Sequence, residues 1–265
     1  MKTVIYYYTA TGNSLALARE LARGLGDASV VPMGKARGAA VKPAAERVGL
    51  VFPIYAWGAP RTVEEFAASL DPSGISYAFA IASCGGTAAG TLPRLRRILR
   101  SKGGELHAGF VVRSPGYLVS DPESKAAKLI ELVRRHSGPL PGTEAERLPG
   151  ILAAVAACRS SKPERGAFLG TALGDFFHGM AAKQFPAMDS GYEVSSACTG
   201  CGTCVRVCPR ANVALAEGRP AWRHDCDNCG ACATWCPSRA ISQAGGLAPT
   251  GKHRAEVRLE DMLLR

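Results

Sequence analysis

Eight of the ten cysteines in the 265-residue chain fall into two runs of one pattern. Cys198, Cys201, Cys204 and Cys208 are spaced by two, two and three residues and precede Pro209. Cys226, Cys229, Cys232 and Cys236, followed by Pro237, repeat that spacing after a shift of 28 residues. Gly202 and Gly230 coincide under the same shift, and so do Val213 and Ile241, so the segment is an internal repeat of two half-units about a pseudo-twofold axis. Thiolate is a soft ligand that suits iron and zinc. Zinc sites usually take two cysteine pairs with a longer gap between them. Three cysteines at consecutive two-residue gaps instead wrap three corners of an iron–sulfur cubane. The spacing points to two 4Fe–4S clusters, with structural zinc as the alternative.

Over roughly 50 residues this segment resembles the bacterial-type two-cluster ferredoxins, in which the fourth cysteine of each run ligates the other cluster. The resemblance implies Cys198, Cys201, Cys204 and Cys236 around one cluster. Cys226, Cys229, Cys232 and Cys208 would then hold the second. A domain tied together in this way is expected to fold only with its metal.

A second constellation lies near the N-terminus. Thr9-Ala10-Thr11-Gly12-Asn13-Ser14 follows an apolar run and opens a helical pattern. Backbone N–H groups at a helix N-terminus, with short hydroxyl side chains, suit a terminal phosphate, although Thr and Asn are also ordinary helix caps. Two further loops follow apolar runs: Pro53-Ile54-Tyr55-Ala56-Trp57-Gly58-Ala59-Pro60 and Ser83-Cys84-Gly85-Gly86-Thr87. In open parallel sheets, ligands sit beyond the carboxyl ends of the strands, where these loops would converge. Tyr55 or Trp57 would stack on a flat ring, and Gly85 and Gly86 would let backbone amides reach its edge.

The elements that must position these loops alternate. Val4–Tyr8, Ala28–Met33, Val48–Phe52, Tyr77–Ala82 and Leu106–Val112 read as strands. Asn13–Arg23, Val63–Leu70, Leu92–Arg100 and Glu123–Arg135 carry helical periodicity. Such alternation argues for an α/β architecture, a parallel sheet covered by helices on both faces. Pro139, Pro141, Pro149 and Gly150 should break any continuous helix before two apolar helices, Ile151–Cys158 and Phe168–Lys183, which would brace the halves. The first strand and its phosphate loop resemble flavodoxins, and the whole chain is similar to the flavodoxin–ferredoxin fusion proteins. That likeness implies FMN, a doubly wound five-stranded sheet of order 2-1-3-4-5, a place for Tyr117 near the flavin, and single-electron traffic between flavin and clusters. The expected organisation is a flavodoxin-like FMN domain over 1–138 and a helical linker over 139–193. A small α+β ferredoxin domain over 194–246 and a basic tail over 247–265 complete it.

The formal charge of +10 counts every cysteine as neutral. Two thiolate-ligated cubanes and a flavin phosphate would bring it to about +4, which removes most support for nucleic-acid binding. No signal-peptide pattern or membrane-length apolar run occurs, so a cytoplasmic protein without membrane insertion is expected. That compartment is reducing, which favours ligation over disulfides. Cys84 and Cys158 read as packing residues, Trp222 and Trp235 as shields for the clusters. The Tyr55–Pro60 loop holds no carboxylate, and Arg61 and Arg113 lie close in sequence to the flavin loops. Positive surroundings would favour an anionic reduced flavin. Arg94, Arg96, Arg97, Arg100 and Lys102 form a solvated basic face or a dock for an acidic redox partner. An electron carrier to a redox protein partner needs no general acid, base or nucleophile, and none is evident. A flavin-dependent reductase of a small substrate and a redox- or iron-sensing binding module are the competing readings.

Overall fold

The computed structural model describes residues 1–36, 40–114, 125–243 and 254–263. Five strands are parallel: β1 (Thr3–Tyr7), β2 (Ala28–Pro32), β3 (Arg47–Pro53), β4 (Tyr77–Cys84) and β5 (Ala108–Arg113), in the order β2-β1-β3-β4-β5. This is the expected flavodoxin-like doubly wound order. β1 and β4 are buried throughout their length, which is why their sequences read as unbroken apolar runs. Side chains nonetheless alternate between the faces. Val4, Tyr6 and Tyr8 join the core beneath α2 (Arg61–Ser69) and α3 (Thr91–Ser101), with Phe66, Leu92 and Leu95. Ile5 and Tyr7 join the opposite core beneath α1 (Asn13–Leu25), with Leu15, Leu17 and Leu21. Gly49 of β3 lies against the Phe79 ring of β4, where a Cβ would collide.

α4 is described over Lys125–Arg135, and its expected start at Glu123 lies outside the described residues. α5 runs from Glu144 to Ala156 and passes through Pro149, which was expected to break it. A capping box between Thr143 and Glu146 starts the helix upstream of the proline. Pro149 is exposed, so the carbonyl it leaves without a partner faces water. α5 packs on α1 and β5, so the apolar stretch read as part of a brace completes the helical layer of the sheet. The next segment covers the β5 edge, with Ser161 N–H donating to His107 O and Glu164 N–H to Gly109 O. Arg147 and Glu164 pair in a bidentate bridge at 2.5 and 2.7 Å and hold it there.

α6 (Phe168–Gln184) packs only one face. Gly170, Gly174 and His178, four residues apart, are buried, whereas Phe168 and Phe176 are 80% and 63% exposed. A 3-10 turn over Phe185–Gly191 then leads into the cysteine-rich module. There β6 (Tyr192–Val194) pairs antiparallel with the last strand, β9 (Ile241–Gln243). α7 (Thr203–Val207) carries the third cysteine of the first run, Cys204, and α8 (Ala231–Thr234) that of the second, Cys232. Between them β7 (Val213–Ala216) and β8 (Arg219–Trp222) form a hairpin. The repeat survives in the backbone. Gly202 and Gly230 have φ of 71° and 69°, and Ala211 and Arg239 have 52° and 51°. The C-terminal segment touches both halves: α9 (Leu259–Leu263) contacts α7, and Asp261 accepts from Arg19 of α1 at 2.6 Å. Among the described residues no helix is long and apolar enough to cross a membrane.

Candidate iron–sulfur and flavin sites

The eight cysteines separate into two neighbourhoods that cross the repeat. Cys208, from the first run, lines one cavity with Cys226, Cys229 and Cys232 from the second. Burial pushes the Cys229 thiol up to about 12, and the neighbouring Cys208 charge adds to it. Burial also raises Cys232, with Cys229, Cys208 and Cys226 beside it. Cys204, raised first by burial, instead feels Cys201 and Cys236. Among the described residues no three His, Cys, Asp or Glu side chains converge closely enough to hold one ion. Backbone N–H groups donate to the sulfurs: Asn228 to Cys226 at 3.1 Å, Asn212 to Cys208 at 3.3 Å and Ala240 to Cys236 at 3.3 Å. Donors aimed at sulfur suit thiolates, and thiolates this deeply buried need the positive charge of a metal core. The residues therefore fit iron–sulfur clusters. The two neighbourhoods are unequal: Cys201 is exposed, whereas Cys226 and Cys232 are buried.

The buried set faces the sheet half. Arg210, two residues after Cys208, is 2% exposed and donates to Asp225 at 2.6 Å, Glu65 at 3.1 Å, Thr62 at 3.2 Å and Asp227 at 3.4 Å. Burial alone would lower the Arg210 pKa; the Asp225 bond and the charges of Asp227 and Glu65 carry it above its ordinary value. Burial pushes the Asp227 carboxyl up, while Arg210 and Thr62 hold it back. The Thr62 hydroxyl, at the start of α2, donates to Asp227 at 2.6 Å. Under the 28-residue shift, Arg210 corresponds to Ser238 and Asp227 to Thr199. The residues that break the repeat's symmetry are thus the ones that meet the other half, a signal present in the sequence but without an address. Tyr8, just past β1, is buried with its hydroxyl beside Cys229 and Asp227, and burial with those charges pushes its pKa well up. Its ring meets Tyr55 edge-on, with centroids 6.1 Å apart. Sequence reasoning treated Tyr8 only as part of an apolar strand.

The phosphate loop keeps the features that an anion needs. α1 has no side-chain cap, Gly12 before it has φ 95°, and the buried Ser14 hydroxyl has no hydrogen-bond partner. Thr9 Oγ1 accepts from Gly12 N–H at 3.0 Å and shapes the turn. The cysteine-rich module and the C-terminal segment roof one side: Trp235 Nε1–H donates to Ala10 O at 2.7 Å, and Val257 packs where a Gly12 side chain would project. Trp235, expected to shield the clusters, therefore also docks on this loop.

The other two loops divide. Tyr55 packs on both cores, and so does Cys229. Trp57, at φ 64°, turns against α6, with its ring 6.0 Å from Phe177. A Cβ on Gly58 would fall within the His178 ring, and His178 Nδ1 lies 3.0 Å from Ala56 O, so Nδ1 carries the proton. Burial first, then Arg94, lowers the His178 pKa. Pro53 ends β3, Ser83 and Cys84 end β4 buried, and burial pushes the Cys84 thiol up to about 11. Gly85 is exposed and Gly86 has open space beside it. Tyr117 lies outside the described residues.

Arg61 bonds Asp225 at 3.1 Å and Glu65 at 3.6 Å, so it also takes part in the contact between the halves. The basic helix α3 is likewise largely balanced. Arg94 pairs with Glu64 at 2.7 Å, and Glu105 accepts from Arg96 at 2.6 Å and Arg100 at 2.8 Å.

Residues 197–241 match the model of the 4Fe-4S dicluster domain family. The curated proteins yield no match to the chain. Among solved structures, the apo form of the NADH:FMN oxidoreductase EmoB is 15% identical, covering 63% of this chain and 95% of its own at a TM-score of 0.38. The Trp repressor binding protein of Bacillus subtilis is 16% identical, covering 60% and 96% at 0.34. Rubredoxin oxygen:oxidoreductase of Desulfovibrio gigas is 17% identical, covering 59% of this chain and 37% of its own at 0.33. Scores this low carry no argument about function.

Proposed function

We propose that the chain is an electron-transfer flavo-iron–sulfur protein that relays electrons between FMN, two 4Fe–4S clusters and a protein redox partner. The observation that carries this reading is the packing of the half-buried Cys229 on the sheet's core beside Tyr8, at the carboxyl end of β1 where a doubly wound sheet binds its ligand. The cluster held by Cys208, Cys226, Cys229 and Cys232 is then the one next to the flavin. Thr11, Asn13, Ser14 and the uncapped N-terminus of α1 would hold the FMN phosphate, and Tyr55, Gly85 and Gly86 would border its ring. Bound FMN takes up electrons singly or in pairs, and each cluster passes them one at a time. The chain supplies placement: its buried ion network keeps the two cofactor sites in one fixed relation.

The cluster held by Cys198, Cys201, Cys204 and Cys236 is the exit. Cys201 is exposed, and the exposed Arg206 and Arg239 flank this set, with Arg206 donating to Cys201 O at 3.5 Å and Arg239 N–H to Cys236 O at 3.1 Å. Cations at this exit suit an acidic partner. A reducing compartment such as the cytoplasm suits a chain that must keep eight ligand thiols free of disulfides. Anaerobic purification with iron, sulfide and flavin assays, followed by EPR during a stepwise redox titration, tests the reading. About eight iron, about eight sulfide and one FMN per chain are expected. Zinc in place of iron would overturn it.

A further inference from the structure

Five buried side-chain N or O atoms among the described residues lack a hydrogen-bond partner, and two of them flank the second cluster's cavity. Trp222 Nε1 faces Cys232 from within the cysteine-rich module. The Tyr8 hydroxyl faces Cys229 from the sheet half. We propose that the Tyr8 hydroxyl donates a hydrogen bond to the Cys229 sulfur when the second cluster is bound, so that the sheet half sets the reduction potential of a cluster held wholly by the other half. The proposal rests on the iron–sulfur reading above.

Tyr8 is suited to the task by its rigidity. Its N–H donates to Val51 O at 2.9 Å, its side chain is buried, and its ring is held against Tyr55. The competing acceptor, Asp227, is already served by the Thr62 hydroxyl and by Arg210. Cys229 Sγ is the neighbour with a new charge to offer, because iron binding converts it to thiolate. Reduction adds one electron to the cluster and no proton, so negative charge on the sulfurs grows. A donor aimed at one of them stabilises the reduced state more than the oxidised state and raises the potential. One pair of backbone donors does not distinguish the clusters, since Asn212 N–H on Cys208 is repeated by Ala240 N–H on Cys236. Tyr8 comes from outside the repeat, and position 201, the counterpart of Cys229, is exposed.

Tyr8→Phe in the full chain, purified without oxygen and titrated by EPR, removes the donor and keeps the ring. One cluster should become harder to reduce by about tenfold in its one-electron equilibrium, about 59 mV, while the other keeps its potential. A 3-fluorotyrosine placed at position 8 by nonsense suppression is a stronger donor of nearly the same shape and should raise the same potential. If Tyr8→Phe fails to take up clusters, the fluorinated protein decides alone. Two loaded clusters whose potentials stay unchanged, or move together, would overturn the proposal and leave the iron–sulfur reading intact. A wild-type protein without 4Fe–4S signals would instead remove that reading first.

Discussion

Arg210 offers the sharpest test of how the halves are joined. Replacing it with Met keeps much of the side chain's length and removes the charge. Asp227, whose side chain is fully buried, then loses its cation and keeps only Thr62 and Tyr8 as polar company. Breaking a buried pair from one side costs about 3–5 kcal/mol. The bridges to Glu65 and Asp225, whose side chains are 45% and 35% exposed, add little. Cofactor-loaded proteins rarely unfold in one reversible step, so the measurement is native-state hydrogen exchange under anaerobic conditions. The Thr62 amide, bonded to Asp227 at 3.4 Å, reports opening of the contact. Its exchange should accelerate by about two to nearly four orders of magnitude at about 1.4 kcal/mol per decade. Adding Asp227→Asn to Arg210→Met should restore part of the protection, because the orphaned charge is gone, giving a coupling of about 1–3 kcal/mol in the double-mutant cycle. Arg210→Lys should lose protection too, since an ammonium cannot reproduce the forked contacts. An Arg210→Met change below about 1 kcal/mol, or strict additivity with Asp227→Asn, would refute the reasoning.

Cys208→Ser should alter the EPR spectrum of the second cluster although Cys208 lies in the first run; loss confined to the first cluster would reject the crossed arrangement. Ser14→Ala should weaken FMN by about tenfold and leave riboflavin, which lacks the phosphate, unchanged in calorimetry. The buried His178 has a folded pKa below its unfolded value, so the unfolded chain binds the extra proton as pH falls below about 6.5. Stability should therefore decline with acidification from that pH, and thermal melts of His178→Asn should show a smaller decline over the same range.

The cysteine spacing, the internal repeat, the apolar strands and the helix-opening phosphate loop are local patterns. Each is written within a few residues, because cubane geometry, strand alternation and helix N-termini impose short periods on the chain. The cofactor classes and the sheet half were legible for that reason. Pro149 was misread as a break because a capping box six residues earlier and an exposed carbonyl together outweigh one missing N–H. The contacts between the halves have no such period. Arg210 meets Glu65 across 145 residues, and Trp235 meets Ala10 across 225. The repeat's departures from symmetry, Arg210 against Ser238 and Asp227 against Thr199, marked one face as different. Only folding could show that this face meets Thr62 and Tyr8, because a buried charge finds its partner by proximity in space, whatever its distance along the chain.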